Sequence, residues 1–318
     1  MIVPALPTSP AVRLLEVGSE DAGQRIDNYL MRQLKGAPRS LIYRILRRGE
    51  VRVNMGRIKP EYRVRAGDRV RVPPVRLGAP TTSPGGGGAG MRLEERILYE
   101  DDRLLVVDKP AGMAVHGGSG LSYGVIEALR AARPEAKFLE LVHRLDRETS
   151  GCLLIAKRRS ELRMLHALLR GGAVDKHYLA LVRGRWTLGD KRIEAPLLKN
   201  QLRSGERLVT VDAEGKAADS RFRPLDIHTE ASLMEVRLGT GRTHQIRVHG
   251  AHVGSPLAGD DKYGDAEFNR RMRELGLKRL FLHAHNIGFC DPESGREVHV
   301  SAPLPDDLRA VLDRLTEQ

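Results

Sequence analysis

The polar segment HRLDRETSG (residues 143–151) joins two short apolar runs, FLELV (138–142) and CLLIA (152–156). Runs this short suit strands better than helices, which usually need about ten residues or more. The segment therefore predicts a strand–loop–strand unit. Catalytic groups are often carried by loops that rigid strands hold in place, and Asp146, two residues after Arg144, lies near the middle of this loop.

The chemistry of Asp146 depends on what lies near it in space. A neighbouring arginine would keep the carboxylate ionised, because an opposite charge favours the charged form. Arg242 and Arg247 are candidates for that partner. An ionised, oriented carboxylate can act as a nucleophile or stabilise a positive centre at a sugar carbon. The spacing alone leaves open the alternative that Asp146 only caps a turn.

Further strand patterns occur at 104–107, 176–182 and 234–238, and a helix pattern at 160–171. Alternation along the second strand places Tyr178 on one of its faces. The helices intervene irregularly, and no G-x-G-x-x-G follows a strand. We therefore expect an α+β fold with a mixed, largely antiparallel sheet and flanking helices, not a dinucleotide-binding fold.

Two groups of histidines are close enough in sequence to suggest metal ligands: His244, His249 and His252, and His283 with His285. However, the chain has no H-E-x-x-H, no paired C-x-x-C and no acidic cluster beyond Asp260 and Asp261. The patterns that are missing are the ones that protein metal sites usually show. We therefore expect no metal.

The composition excludes several classes of protein. With 318 residues, 41% hydrophobic and 30% charged, the chain is long enough for one large domain or two and is not disordered throughout. No apolar run approaches the roughly 18 residues that cross a bilayer, and MIVPALPTSP does not resemble a secretory signal. Two cysteines fit a reducing compartment. We expect a cytoplasmic protein and, since nothing indicates an oligomer interface, a monomer.

The charge is concentrated near the N-terminus. The net charge is +12, with 42 arginines against 11 lysines, and residues 1–76 carry +9 of it. Arginine binds phosphate bidentately and stacks on bases, so this bias indicates a nucleic-acid partner; a genome rich in arginine codons would produce the same bias. Between the basic module and the nearly neutral remainder, RLGAPTTSPGGGGAG (76–90) predicts a flexible tether.

The basic module has the pattern of two short helices followed by short strands. Apolar residues share one face in 26–34 and again in 41–46, and alternating segments follow at 51–53 and 70–72. The basic residues around the second helix are Arg39, Arg44, Arg47 and Arg48. They predict contacts with RNA phosphates and shape, since no aromatic stacking platform accompanies them. A merely solvated basic face is the alternative.

Two resemblances extend this interpretation. QRIDNYLMRQLKGAPRSLIYRILRRGEVRVN (24–54) resembles the S4 RNA-binding domain, and HRLDRETSGCLLIAK (143–157) is similar to the catalytic motif of RluA-type pseudouridine synthases. Further motifs follow in that family's order: VVDKPAGMAVHGG (106–118), KHYLALVRG (176–184), GTGRTHQIRVH (239–249) and DDKYGD (260–265). The resemblance implies an S4-like domain at 14–76, a linker at 77–92 and a pseudouridine synthase catalytic domain at 93–318.

The family resemblance implies conversion of specific uridines in 23S ribosomal RNA to pseudouridine, without a cofactor, on RNA or an assembling large subunit. Asp146 would be the nucleophile, and Tyr178 would stack on the base and assist removal of the C5 proton. Arg247 would orient Asp146, and Arg144 would enter the space left by the flipped nucleotide. Arg242 and His244 are expected to contact the RNA.

Two alternatives from other classes remain open at this point. One is an RNA-binding ribosome assembly factor that keeps the fold without turnover, although nothing in such a protein would require the complete set of Asp, Tyr and Arg. The other is a metal-dependent nuclease that uses Asp146, His143 and Asp260.

Overall fold

The computed structural model describes residues 12–34, 37, 39–75, 93–117, 123–201 and 207–317. The chain divides into two compact units, Met1–Ser83 and Pro84–Gln318. The predicted linker at 77–92 lies outside the described residues. Within the described ranges, no helix is long and apolar enough to cross a membrane.

The N-terminal unit packs two helices, α1 (Ile26–Gln33) and α2 (Arg39–Arg47), on a small antiparallel sheet. Its strands are β1 (Arg13–Glu16), β2 (Arg52–Val53), β3 (Gly56–Arg57) and β4 (Arg69–Val72), in the order β1-β4-β2-β3. Apolar residues of both helices, among them Ile26, Leu30 and Ile42, are buried together. The spacing of apolar residues predicted this shared inner face.

The C-terminal unit combines one large sheet with helices. The strands are β5 (Ile97–Glu100), β6 (Leu104–Lys109), β7 (Glu140–Leu141), β8 (Ser150–Ala156), β9 (Val174–Arg183), β10 (Lys191–Glu194), β11 (Leu197–Gln201), β12 (Arg207–Val211), β13 (Asp219–Ile227), β14 (Ala231–Leu238), β15 (Leu282–Cys290) and β16 (Glu297–Ser301). The helices are α3 (Val125–Ala132), α4 (Arg159–Gly171), α5 (Gln245–His252), α6 (Ala266–Glu274) and α7 (Asp306–Thr316).

The large sheet has the strand order β10-β13-β14-β9-β15-β8-β6-β5, with β16 beside β15 and β7 beside β8, while β11 and β12 form a separate hairpin. Strands β15 and β8 run parallel, and the other described pairs are antiparallel. This confirms the predicted α+β fold with a mixed, largely antiparallel sheet.

The central strands are buried on both faces of the sheet. In β6, Leu105 and Val107 pack on the side of α3, whereas Leu104 and Val106 pack with Leu165 of α4 on the other. Strands covered on both faces form a rigid frame. This frame holds the loop that carries Asp146, between β7 and β8.

Gly151 explains why the motif that carries Asp146 ends in glycine. Its φ is +108°, and a Cβ there would lie 2.2 Å from the carbonyl oxygen of Ala284 on the parallel neighbour β15. A side chain would therefore separate β8 from β15. Since β15 lies between β8 and β9, this close approach sets the distance from the Asp146 loop to the strand that carries Tyr178.

Candidate active site

A pocket lies where the Asp146 loop, β9 and the start of α5 meet. It has a volume of about 100 Å³ and is lined by Arg144, Leu145, Asp146, Thr149, Tyr178, Leu238, Gly241, Arg242, Thr243, His244, Gln245, Ile246, Arg247 and Leu282. A single water needs only about 10–15 Å³ by the same measure, so there is room for a larger group. The predicted residues Asp146, Tyr178 and Arg247 all face this space.

Arg247 lies between two carboxylates, one near and one farther away. Its Nε and Nη2 each donate to Asp260 at 2.7 Å, and its Nη1 is 3.5 Å from Oδ2 of Asp146. The Asp260 side chain is 0% exposed and that of Asp146 is 19% exposed. Burial alone would raise the pKa of Asp260, but Arg247, together with the amides of Tyr263 and Lys262, outweighs burial and lowers it. Arg247 is therefore anchored by Asp260 and directed at Asp146.

The position of Arg247 depends on Gln245, whose side chain connects the start of α5 to the preceding loop and to β13. The Gln245 side-chain oxygen accepts hydrogen bonds from the Thr240 hydroxyl at 2.7 Å and the Arg242 amide at 2.9 Å. Its nitrogen donates to the Asp219 carbonyl at 2.8 Å and the Ser220 hydroxyl at 2.9 Å. All its hydrogen-bonding capacity is thus spent on holding this loop and helix together.

His244 precedes α5 and adopts a left-handed backbone conformation, with φ of +55°. This conformation costs a non-glycine residue about 1–2 kcal/mol. The ring places Nε2 3.8 Å from Oδ2 of Asp146 and Nδ1 2.8 Å from the hydroxyl of Tyr263. Burial lowers the pKa of His244, although the charge of Asp146 acts in the opposite direction. The ring is therefore neutral near pH 7.

Tyr178 lies in β9, opposite Val236 of β14 and Ala284 of β15. Its side chain is buried against the sheet core and faces the pocket. Burial raises the pKa of the phenol, and the negative charge of Asp146 raises it further. The hydroxyl is therefore protonated in the absence of substrate.

Lys109, at the end of β6, is fully buried beneath the Asp146 loop. Its Nζ donates to the carbonyls of Pro110 and Met113 at 2.8 Å and to that of Arg147 at 3.0 Å. Burial lowers the pKa of Lys109 to about 7, while Glu148 and Asp146 act to raise it. The motif at 106–118 contains this lysine, but the sequence predicted no role for it; a lysine at the end of an apolar strand is the signal that points to it.

The other predicted RNA-binding residues lie in two separate places. Arg144 and Arg242 line the pocket and are exposed, and Arg242 donates to the carbonyl of Ala217 at 2.9 Å. In the N-terminal unit the exposed arginines of α2 and its C-terminal end are Arg44, Arg47 and Arg48. Arg39 lies at the start of α2, but its side chain is outside the described residues.

The residues of the nuclease alternative have other partners. His143 Nε2 accepts a hydrogen bond from the Leu154 amide at 3.1 Å, and Asp260 is paired with Arg247. In the described ranges, no group of three or more His, Cys, Asp or Glu could hold a metal ion. The sequence offers Asp260 as a candidate metal ligand or nuclease residue, whereas in the structure it anchors Arg247.

Comparisons with known proteins identify both parts of the chain. The family described as RNA pseudouridylate synthase matches residues 103–252, and the S4 domain matches residues 24–70. The chain is 56% identical over 310 residues to the ribosomal large subunit pseudouridine synthase C of Pasteurella multocida, covering 97% of this chain and 95% of that protein. The ribosomal large subunit pseudouridine synthase C of Escherichia coli (strain K12) is 54% identical over 312 residues, covering 96% of this chain and 98% of that protein.

Solved structures show the same fold. The human RNA pseudouridylate synthase domain containing 4 aligns with a TM-score of 0.61 and 25% identity, covering 73% of this chain and 97% of that one. The human RNA pseudouridylate synthase domain containing 1 aligns with a TM-score of 0.56 and 26% identity, covering 70% of this chain and 92% of that one. Together with the identity above one half to bacterial relatives over nearly full length, these matches confirm both resemblances. The chain belongs to the RNA pseudouridine synthase family and carries an S4 domain ahead of the synthase fold.

Proposed function

We propose that this chain converts specific uridines of 23S ribosomal RNA to pseudouridine, acting on the RNA or on an assembling large subunit. The printed names of its bacterial relatives support the large-subunit substrate. The observation that carries the proposal is the meeting of Asp146, Tyr178 and Arg247 in one pocket. An assembly factor without turnover has no need of this arrangement.

Asp146 would attack C1′ of the target ribose and form an ester, while the N1–C1′ bond breaks and uracil leaves with the electron pair. After uracil has turned over, C5 attacks C1′ and the ester breaks, which regenerates the carboxylate. C5 loses its proton and N1 gains one. The product is an isomer of the substrate, so the reaction calls for no oxidant or other co-reactant. A closed pocket prevents water from trapping the sugar.

The two oxygens of Asp146 differ in their surroundings. Arg247 Nη1 and His244 Nε2 both approach Oδ2, at 3.5 and 3.8 Å. Across the described part of the chain, Oδ1 has no hydrogen-bond or ion-pair partner within reach. A carboxylate held through one oxygen presents the other for attack, which supports Oδ1 as the nucleophilic atom.

Tyr178 would stack on the uracil and assist removal of the C5 proton. Because its phenol is protonated in the resting enzyme, it can accept a proton from C5 only if its own proton moves on. The carboxylate of Asp146, regenerated when C5 bonds to C1′, is a suitable acceptor. This order matches the late loss of the C5 proton.

Arg144 would compensate for removing the target uridine from its stack. Flipping a nucleotide costs a few kcal/mol. Arg144 is exposed at the pocket and has no carboxylate within ion-pair distance among the described residues. Its guanidinium can therefore fill the vacated space, while Arg242, His244 and the arginines of the S4 domain contact the surrounding RNA.

The proposal is tested with 23S ribosomal RNA that carries tritium at uridine C5. Wild type should release tritium and leave the RNA intact, with or without EDTA, whereas Asp146→Asn should fold normally and release none. Pseudouridine formed by Asp146→Asn would contradict the role of Asp146. Tight RNA binding without release by the wild type, on free RNA and on partly assembled subunits alike, would favour the assembly-factor function.

A further inference from the structure

The contact between Tyr263 and His244 joins the hairpin β11–β12 to the reacting carboxylate. The Val209 amide in β12 donates to the Tyr263 hydroxyl at 3.0 Å, and this hydroxyl is 2.8 Å from Nδ1 of His244. On the far side of the ring, Nε2 is 3.8 Å from Oδ2 of Asp146. A chain of three contacts thus leads from a backbone amide to the nucleophile.

The hydrogen bonds that join Val209, Tyr263 and His244 have one consistent direction. The Tyr263 oxygen accepts from the Val209 amide, so its own hydrogen needs an acceptor. In the described part of the chain, His244 Nδ1 is the acceptor within hydrogen-bond distance of that hydroxyl. If Tyr263 donates to Nδ1, the neutral ring carries its hydrogen on Nε2. The N–H then faces the carboxylate of Asp146.

The opposite tautomer would place two lone pairs face to face. With the hydrogen on Nδ1, the Nε2 lone pair would point at the Asp146 carboxylate, and the Tyr263 hydrogen would lack an acceptor. A doubly protonated ring is disfavoured by burial and by the neighbouring charges of Arg247 and Lys262, against the opposing effect of Asp146 and Asp260. The left-handed backbone of His244, with φ of +55°, is what turns the ring into this position.

We propose that Tyr263 is a positioning residue for the isomerisation: it fixes His244 as the Nε2–H tautomer, so that this N–H faces Oδ2 of Asp146, the oxygen that Arg247 also approaches, and Oδ1 is presented to the sugar. This inference rests on the proposed function for its kinetic consequence. The tautomer itself is a property of the protein without RNA. The tautomer of His244 and its effect on the reaction rate can therefore be refuted separately.

The first test is the ¹⁵N NMR spectrum of the full-length protein with labelled histidine. His244 is assigned by its absence from the spectrum of His244→Gln. Wild type should show a neutral His244 with hydrogen on Nε2, and Tyr263→Phe should lose this single form. Phenylalanine keeps the ring that Arg247 contacts at 5.1 Å from its centroid, so the change isolates the hydroxyl. Hydrogen on Nδ1 in the wild type, or an unchanged tautomer in Tyr263→Phe, would overturn the proposal.

The second test is a double-mutant cycle on tritium release. Removing one orienting hydrogen bond should lower kcat roughly tenfold in Tyr263→Phe, with KM for RNA unchanged. In His244→Gln the side chain keeps an amide N–H but has no tautomers. Adding Tyr263→Phe to His244→Gln should therefore have little further effect on kcat. Additive losses would contradict the mechanism. If wild type itself releases no tritium, the proposed function fails, while the NMR result still decides the tautomer.

Discussion

Asp260→Asn tests how much of the site depends on one buried carboxylate. The substitution keeps the shape of the side chain and one oxygen, which can still accept from the amides of Lys262 and Tyr263, at 2.9 and 3.1 Å in the wild type. It removes the negative charge that Arg247 holds through two bonds of 2.7 Å. Arg247 then keeps Asp146 as its remaining charged partner.

The loss should be large because the pair is buried. The Asp260 side chain is 0% exposed and that of Arg247 is 12% exposed, so the guanidinium, left with the more distant Asp146, cannot recover its hydration. Breaking a buried ion pair by removing one partner costs about 3–5 kcal/mol of unfolding free energy. For a unit of this size, each kcal/mol lowers Tm by about 2–4 °C. Asp260→Asn should therefore lower Tm by roughly 6 °C or more, and tritium release by about a hundredfold.

A surface pair with the same geometry provides the control. Arg221 donates to Asp190 through two bonds of 2.8 Å, but these side chains are 58% and 37% exposed. Asp190→Asn should leave Tm almost unchanged, since exposed pairs contribute little. Tm is measured by calorimetry on the full chain, and activity by tritium release. Equal effects of the two substitutions, or no effect of Asp260→Asn, would refute the role of burial.

Three further outcomes are expected. Tyr178→Phe should bind RNA as wild type does and lose most tritium release; normal turnover would remove Tyr178 from the proton transfer. Burial lowers the pKa of His283 to about 4, below its usual value near 6.5, so its contribution to stability is present above about pH 6.5 and is lost as pH falls towards 4. His283→Gln should flatten that fall in unfolding free energy by about 3 kcal/mol, and an unchanged pH profile would contradict this. Arg44→Gln and Arg47→Gln should each reduce the slope of log K against log salt by about 0.7–0.9, whereas Arg221→Gln, already paired with Asp190, should leave it unchanged.

The fold was predictable wherever local pattern and final burial agree. The apolar runs that became β6 and β8 are buried on both faces, and the alternation in β9 predicted one face of that strand for Tyr178, whose side chain lines the pocket. Helix α5 was not predicted from the segment RTHQIRVH. Polar and apolar residues are buried together in it, including Gln245 and His249, so it lacks the apolar stripe that sequence reasoning relies on.

The sequence predicted the candidate residues of the pocket and the contact between Arg247 and Asp146, but not the anchoring of Arg247 by Asp260. Asp146, Tyr178 and Arg247 were identified through the resemblance to a family, and the structure brings them together. The anchoring of Arg247 by Asp260 depends on two segments 13 residues apart that meet through the turn after α5. Sequence spacing cannot specify such a contact, because the tertiary fold decides which of several acidic residues an arginine reaches.

Under the proposed function Asp146 changes its charge during the reaction, and the pairing of Arg247 with Asp260 suits that change. If Arg247 held Asp146 as tightly as it holds Asp260, the nucleophile would be stabilised before attack and the barrier would rise. At 3.5 Å the guanidinium orients Asp146 without a second bidentate pair. In the proposed ester intermediate the negative charge of Asp146 disappears, and a buried arginine without another partner would then be left uncompensated. Asp260 keeps Arg247 neutralised at that moment, which is why its loss is expected to slow the ester-forming step as well as to destabilise the fold.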